Sequence, residues 1–248
     1  MLIPIFPLSQ IKTKMVYNDL QRMNLKGKVK EVLETDFKIE NNVTVETKKK
    51  EFHEFFSNGK LKKKENFSSQ NISIFAYDDK ERISSQNTEN SNIKYSYPKD
   101  SVVNITTNNG NFTYTSKSVF KKNQEIEIKK VLNKTESKAI YNYDKKNRIT
   151  KSLELHYSPN QVDTIRISSS YYKKCLMPIM QSFEKPFFKN ILNNRCDIIT
   201  HISLKNDGTI HQKHEYTYVY DKRKNWIERK TYSEGTLIKS TIRQIVYY

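Results

Sequence analysis

Two stretches of this chain match without a gap, Phe75-Ala76-Tyr77-Asp78-Asp79-Lys80-Glu81-Arg82-Ile83 and Tyr141-Asn142-Tyr143-Asp144-Lys145-Lys146-Asn147-Arg148-Ile149. Tyrosines two apart lie on one side of a strand, and an Asp directly after them accepts backbone N–H bonds as the chain turns. Arg-Ile then restarts the strand. A third stretch, Tyr218-Val219-Tyr220-Asp221-Lys222-Arg223-Lys224-Asn225-Trp226-Ile227, fits the same pattern with one inserted residue. Punctuation of this kind reads as consecutive hairpins.

A second motif consists of an aromatic or apolar residue, a polar pair, Gly and a basic strand. It occurs as Phe56-Ser57-Asn58-Gly59-Lys60-Leu61 and as Tyr232-Ser233-Glu234-Gly235-Thr236-Leu237. Asn206-Asp207-Gly208-Thr209-Ile210 and Asn108-Asn109-Gly110-Asn111-Phe112 belong to the same class. Only five glycines are present, so four of them stand in turn signals. Asn-Gly and Asp-Gly tolerate the positive φ that tight or bulged hairpin loops demand. Between the turns the chain alternates, as in Glu125-Ile126-Glu127-Ile128-Lys129 and Thr164-Ile165-Arg166-Ile167-Ser168, which puts Ile on one face and polar groups on the other.

The expected fold is therefore all-β: an extended, twisted antiparallel sheet of consecutive hairpins, forming a single repeat domain over residues 25–248. Residues 1–24 read as a short non-β segment in which Asn18 to Asn24 has room for one or two helical turns. The alternation breaks at 175–194, where Leu176-Met177-Pro178-Ile179-Met180 and Lys185-Pro186-Phe187-Phe188 carry two prolines that disfavour a regular central strand. This excursion either caps the sheet or presents an apolar patch; the cap is favoured, because monomers seldom expose large contiguous apolar surfaces.

Only 35% of the residues are hydrophobic, yet 16 Tyr and 12 Phe restore apolar area through large rings, so the core should be aromatic. The formal charge of +17 suggests phosphate binding. Against that, 36 of the 44 basic residues are Lys, while phosphate and base recognition leans on the guanidinium fork. The charge is also dispersed along the chain, with runs such as Lys48-Lys49-Lys50 and Lys62-Lys63-Lys64 beside strand-like segments, where Lys guards sheet edges. Sequence-specific nucleic-acid binding is not expected.

Cys175 and Cys196 are too few for a zinc site or a disulfide framework. They form one bridge if the protein is exported, or remain two buried thiols if it is not. Met1 to Leu8 is apolar but lacks the basic start and small-residue cleavage site of a signal peptide. No apolar stretch is long enough for a transmembrane helix.

His201, His211 and His214 are the clustered histidines. A two-residue loop at Asp207-Gly208 sets His201 opposite His214, whereas a three-residue bulged loop separates them. Without a further Cys or carboxylate in sequence, no metal site is expected. Asp78, Asp144 and Asp221 form a trio of the kind a glycosidase uses, but a residue recurring in each unit serves the unit's turn. Gly-x-Ser-x-Gly, a phosphate-cradling Gly-rich loop and His-Glu-x-x-His do not occur. No catalytic residue or cofactor is expected. Trp226, the single tryptophan, reads as a core anchor.

The Tyr-Asp segments resemble the YD-repeat (RHS-like) group, and the chain is similar to small repeat-bearing envelope proteins of Bacteroidetes-type bacteria. Within that resemblance Leu25 to Val32 looks like the opening strand, and Tyr220-Asp221 through Trp226 to Tyr248 looks like the closing repeat. The structural repeat residues it implies are Tyr77, Asp78, Tyr143, Asp144, Tyr220, Asp221, Trp226, Gly59, Gly208 and Gly235. The chain departs from the group where Glu81, Asn147 and Lys224 replace the turn glycine, and its Tyr-Asp units are unevenly spaced. The resemblance implies an exported or envelope-associated protein of unknown activity, and the expected role is a non-enzymatic binding or structural component of the cell envelope or extracellular space, with an unknown protein or polysaccharide partner. The alternative is a basic, Tyr-faced module for nucleic acid or anionic polysaccharide.

Overall fold

The computed structural model describes residues 19–99, 101–110, 113–121, 124–132, 135–145, 148–158, 161–171, 175, 180–183, 185–205 and 207–248. One helical turn, α1 (Asp19–Arg22), precedes the strands. The first nine are β1 (Val29–Glu40), β2 (Val43–Phe55), β3 (Leu61–Asn66), β4 (Asn71–Tyr77), β5 (Ile83–Thr88), β6 (Asn92–Lys99), β7 (Val102–Asn108), β8 (Thr113–Lys121) and β9 (Gln124–Leu132). The rest are β10 (Thr135–Tyr143), β11 (Ile149–Ser158), β12 (Gln161–Tyr171), β13 (Met180–Phe183), β14 (Lys185–Leu192), β15 (Ile198–Leu204), β16 (Ile210–Tyr220), β17 (Trp226–Ser233) and β18 (Thr236–Tyr247). The chain is all-β and antiparallel, with a short non-β segment at its start.

The described residues gather into two compact units. One is residues 75–169; the other is formed by the described residues of 17–74 and 170–248. In the second unit the hairpins run from β13 to β18, and β18 then pairs with β1, which pairs with β2. Glu34 on β1 thus stands between Arg243 on β18 and Glu51 on β2. Its core is built by Leu20, Leu25, Val29, Val32 and Phe55, with Met23, Leu61, Ile245 and Tyr247 packed against them. Helix α1 lies over this end of the sheet: Leu20 is buried, and the Asp19 carboxylate accepts the Leu61 N–H at 2.8 Å. Asn24 at φ +56° ends the helix after one turn, while the Leu25 N–H donates to the Leu20 carbonyl at 2.8 Å. In the other unit, among the described residues, Val103 is buried with Tyr95, Tyr97 and Ile105 packed against it.

The excursion read over 175–194 contains a short hairpin, β13 with β14. Pro186 fits because it sits where the register shifts, opposite Ser182, and a bulge tolerates the missing N–H. Residues 176–179 and 1–18 lie outside the described residues. No helix among the described residues is long and apolar enough to cross a membrane.

One five-residue turn recurs. The first residue's N–H donates to the fifth residue's carbonyl, and the fourth residue's N–H donates back to the first. It occurs at Phe56–Lys60, Asp78–Arg82, Asn193–Asp197, Lys205–Thr209 and Asp221–Asn225, with N···O distances of 2.8 to 3.2 Å. The fourth position is left-handed in each: Gly59 at +83°, Glu81 at +59°, Cys196 at +70°, Gly208 at +85° and Lys224 at +68°. A register shift accompanies the turns after β2, β14, β15 and β16, as a type I turn closed by a left-handed bulge requires. The Tyr-Asp motif and the Gly motif at Gly59 and Gly208 are therefore one turn in two spellings.

Three sequence readings change as a result. The third Tyr-Asp stretch needs no inserted residue, since Asn225 takes the place of Arg82 and Trp226 that of Ile83. Gly235 belongs to a different turn: Glu234 at +50° and Gly235 at +79° form a two-residue loop between paired Ser233 and Thr236. Asn193 to Asp197 is a further unit with neither Tyr-Asp nor Gly. At Asp144 the N–H likewise donates to the Arg148 carbonyl at 3.0 Å, while Asn147, its fourth residue, lies outside the described residues.

Candidate functional site

The side chains of the recurring turn serve the turn itself. Asp78 Oδ1 accepts the N–H groups of Lys80 at 3.0 Å and Arg82 at 2.7 Å, and its Oδ2 accepts the Arg82 side chain at 2.7 Å. Burial raises the Asp78 pKa somewhat, but the Arg82 N–H and guanidinium outweigh that and hold it below the ordinary carboxylate value. Asp144 and Arg148 repeat the arrangement. Asn193 accepts the N–H groups of Arg195 at 2.9 Å and Asp197 at 3.0 Å; Asp221 accepts those of Arg223 and Asn225, both at 2.9 Å.

The tyrosines connect one turn to another. Tyr218 donates its hydroxyl to the Ile198 carbonyl at 2.6 Å. Tyr220 donates to Asp197 at 2.9 Å, accepts from Asn193 at 2.8 Å and lies under the Arg195 guanidinium at 4.1 Å. The spacing of Tyr-x-Tyr therefore fastens the incoming strand of the 221–225 turn to the 193–197 turn. Tyr247 repeats the step on the 221–225 turn: it donates to Asp221, accepts from Asn225 at 2.7 Å, and carries Arg223 over its ring at 3.9 Å. In the other unit Tyr97 donates to the Ile83 carbonyl at 2.6 Å under Arg82 at 4.1 Å. Asn225, 1% exposed, also grips the Lys26 backbone, accepting its N–H at 2.6 Å and donating to its carbonyl at 2.9 Å. Gly27, at φ +80°, leaves room there for Arg223, whose side chain would lie 3.4 Å from an added Cβ. Tyr77 and Tyr143 are half-buried.

Beyond the turns, one face of the second unit's sheet carries a cluster of charges and rings. Glu34, buried on β1, accepts Arg243 Nε at 2.8 Å on one oxygen and Lys50 Nζ at 3.2 Å on the other. Burial opposes its charge, yet Arg243 and Lys50 outweigh burial and lower its pKa to about 2. Arg243 lies over Trp226 at 3.4 Å. On the other side of Glu34, His53 is buried with no partner at Nδ1; burial, then Lys64, lowers its pKa to about 4. On β17, Arg229 lies against two rings, Tyr216 at 5.5 Å and Trp226 at 5.3 Å, and its buried Nε has no hydrogen-bond partner. His214, beside Tyr216, likewise has a buried Nε2 without one.

His201 and His214 do face each other across β15 and β16, although the loop is the bulged one. The expected separation fails because the register shift between Ser203 and Leu204 adds the residue that brings the two into line. Asn190 contacts His201 Nδ1 at 2.7 Å, and burial, then His214, lowers the His201 pKa. Among the described residues no three His, Cys, Asp or Glu groups are placed to hold a metal. Cys175 and Cys196 form a disulfide with Cα atoms 5.5 Å apart, which closes the alternative left open by the sequence. Arg229 carried no sequence motif; its one visible signal is the scarcity of Arg among 44 basic residues.

No family model matches the chain. No curated protein matches it either. Among solved structures it is similar to a porin-like protein from Bacteroides uniformis, at 10% identity and a TM-score of 0.49, over 89% of this chain and 99% of that one. It is also similar to a chain in the crystal structure of TcdB2-TccC3-Cdc42, at 12% identity and a TM-score of 0.39, over 82% of this chain and 12% of that one.

Proposed function

We propose that this chain is a non-enzymatic YD-repeat-type protein that acts as a binding or structural component of the cell envelope or extracellular space. The observation that carries this reading is the engagement of its recurring chemistry in its own turns. Asp78, Asp144 and Asp221 are held by main-chain N–H groups, so they are unsuited to the proton transfers of a paired-carboxylate enzyme. A left-handed fourth turn position, where the YD-repeat group has Gly, supports the repeat assignment at Glu81 and Lys224.

The Cys175–Cys196 disulfide supports an oxidising compartment, because such bonds persist outside the cytosol. The nucleic-acid alternative loses weight on geometry: Tyr97, Tyr220 and Tyr247 lie under Arg82, Arg195 and Arg223, so these rings are not open stacking platforms. Cell fractionation combined with thiol alkylation tests the reading. The protein should be found in the extracytoplasmic fraction with both cysteines blocked until reductant is added. A cytosolic protein with two alkylatable thiols would overturn it.

A further inference from the structure

Two guanidinium groups lie against Trp226, and among the described residues only one has a counter-charge. Arg243, at 3.4 Å, is neutralised by Glu34. Arg229, at 5.3 Å, pairs with no carboxylate among the described residues, and its Nε is buried without a partner. Withdrawing a guanidinium from water without an anion is unfavourable, and ring contacts offset only part of that cost. The same Tyr216 ring that meets Arg229 at 5.5 Å also meets the His214 ring at 6.4 Å, and His214 Nε2 is the second buried polar atom here without a partner.

This grouping follows from register. Tyr216, Tyr218 and His214 alternate on β16, and Tyr218 stands opposite Arg229 on β17. All of them therefore share one sheet face, and Tyr216, His214 and Arg229 are only half-buried, so a ligand can reach the exposed part of each side chain. A guanidinium fork matches a planar carboxylate through two parallel N–H bonds, and a ring beside it offers an apolar face to a sugar's C–H groups. A single unpaired Arg suits one negative charge per contact. It does not suit the closely spaced phosphates of a nucleic acid, which call for several.

We infer that Arg229, Tyr216 and His214 form a binding site for a carboxylate-bearing sugar, as in an acidic polysaccharide. The inference rests on the reading of this chain as a binding protein and deepens it. Arg229 supplies the fork through its terminal Nη groups, Tyr216 an apolar ring beside it, and His214 flanks that ring.

Trp226 is the single tryptophan and touches Arg229, so its emission reports directly on the site. The full chain is titrated with a tetramer of galacturonic acid, and separately with an uncharged tetramer of galactose and with single-stranded oligothymidylate. The galacturonate should shift the Trp226 emission saturably, and neither of the other two should compete with it. Arg229→Gln should weaken binding at least about tenfold, as loss of a charge-assisted bidentate contact does. Arg229→Lys should recover only part of that loss, since a point charge lacks the fork. Tyr216→Phe should bind like the parent, and Tyr216→Ala should not. Thermal melts of each variant separate loss of fold from loss of binding.

Equal response to the uncharged tetramer, tighter Arg229-dependent binding of oligothymidylate, or no response to galacturonate would each overturn the site. Those outcomes leave the localisation and thiol test of the broader reading untouched, so the two can fail separately.

Discussion

Replacing Glu34 by Gln should cost this protein about 3 kcal/mol at neutral pH and almost nothing at pH 2. Glu34 is 5% exposed, and its pKa falls from an ordinary 4.5 to about 2 because Arg243 and Lys50 outweigh the burial that opposes its charge. By linkage, a folded pKa that far below the unfolded one is worth about 3 kcal/mol. The sign follows from the direction: the stabilisation is complete above pH 4.5 and is lost as pH falls through about 2. The amide of the Glu34→Gln variant keeps the shape but leaves Arg243 buried without its charge partner, and breaking one side of a buried pair typically costs about 3–5 kcal/mol. Urea unfolding followed by Trp226 emission between pH 7 and pH 2 measures both curves. The parent and variant curves should converge at the acid end. The double variant Glu34→Leu with Arg243→Met should recover much of the loss, because an apolar pair of similar volume removes the stranded charge. Parallel curves for the parent and Glu34→Gln across the acid range would refute the buried-pair reasoning.

His53 occupies a different window: its pKa is lowered from 6.5 to about 4, so its contribution is complete above pH 6.5 and is lost as pH falls through about 4. His53→Phe should flatten the stability profile over that range while leaving the Glu34 window in place, read from the same urea titrations. Lys224→Gly should stabilise by about 1 kcal/mol, since φ +68° strains a residue with a Cβ. Gly208→Val should cost about 1–3 kcal/mol from backbone strain alone, because no atom lies within 4 Å of the added Cβ; thermal melts decide both signs. Reducing the Cys175–Cys196 bond, which spans 21 residues, should cost about 3 kcal/mol, measured by urea unfolding with and without reductant.

The hairpin architecture was legible because alternation and turn chemistry are local: Asp78 to Arg82 and Lys205 to Thr209 announce their turns within five residues. The unity of the two motifs was not, because Glu81, Lys224 and Gly208 share a backbone conformation and no side-chain chemistry. The unit at Asn193 to Asp197 was hidden for the same reason; Asn substitutes for Asp as the acceptor and Cys196 occupies the left-handed position. The Glu34–Arg243 pair joins residues 209 apart, and the pairing of β1 with β18 that creates it is stated by no local pattern. Arg229 needs the same kind of knowledge, since only the register of β16 against β17 sets it beside Tyr216.

How the turn holds without a glycine at its fourth position follows from the contacts around it. At Lys224 the left-handed backbone carries a strain of about 1–3 kcal/mol that Gly would not. Against this, Asp221 accepts two main-chain N–H groups inside the turn, and Tyr247 closes it from outside through Asp221 and Asn225 with Arg223 over its ring. Each such hydrogen bond contributes about 1 kcal/mol net, so the set is sufficient to hold the strained conformation. The same logic holds at Cys196, where Asn193 caps the turn and Tyr220 closes it. Tyr220 then directly precedes Asp221, so this closing tyrosine is fixed by the turn behind it and positions the turn ahead. A substitution that frees Tyr220 should therefore loosen both turns together, so that in a double-mutant cycle the loss from Asn193→Ala with Asn225→Ala falls short of the sum of their separate losses. Strict additivity of the two would show that the turns are held independently and that the tyrosines do not couple them.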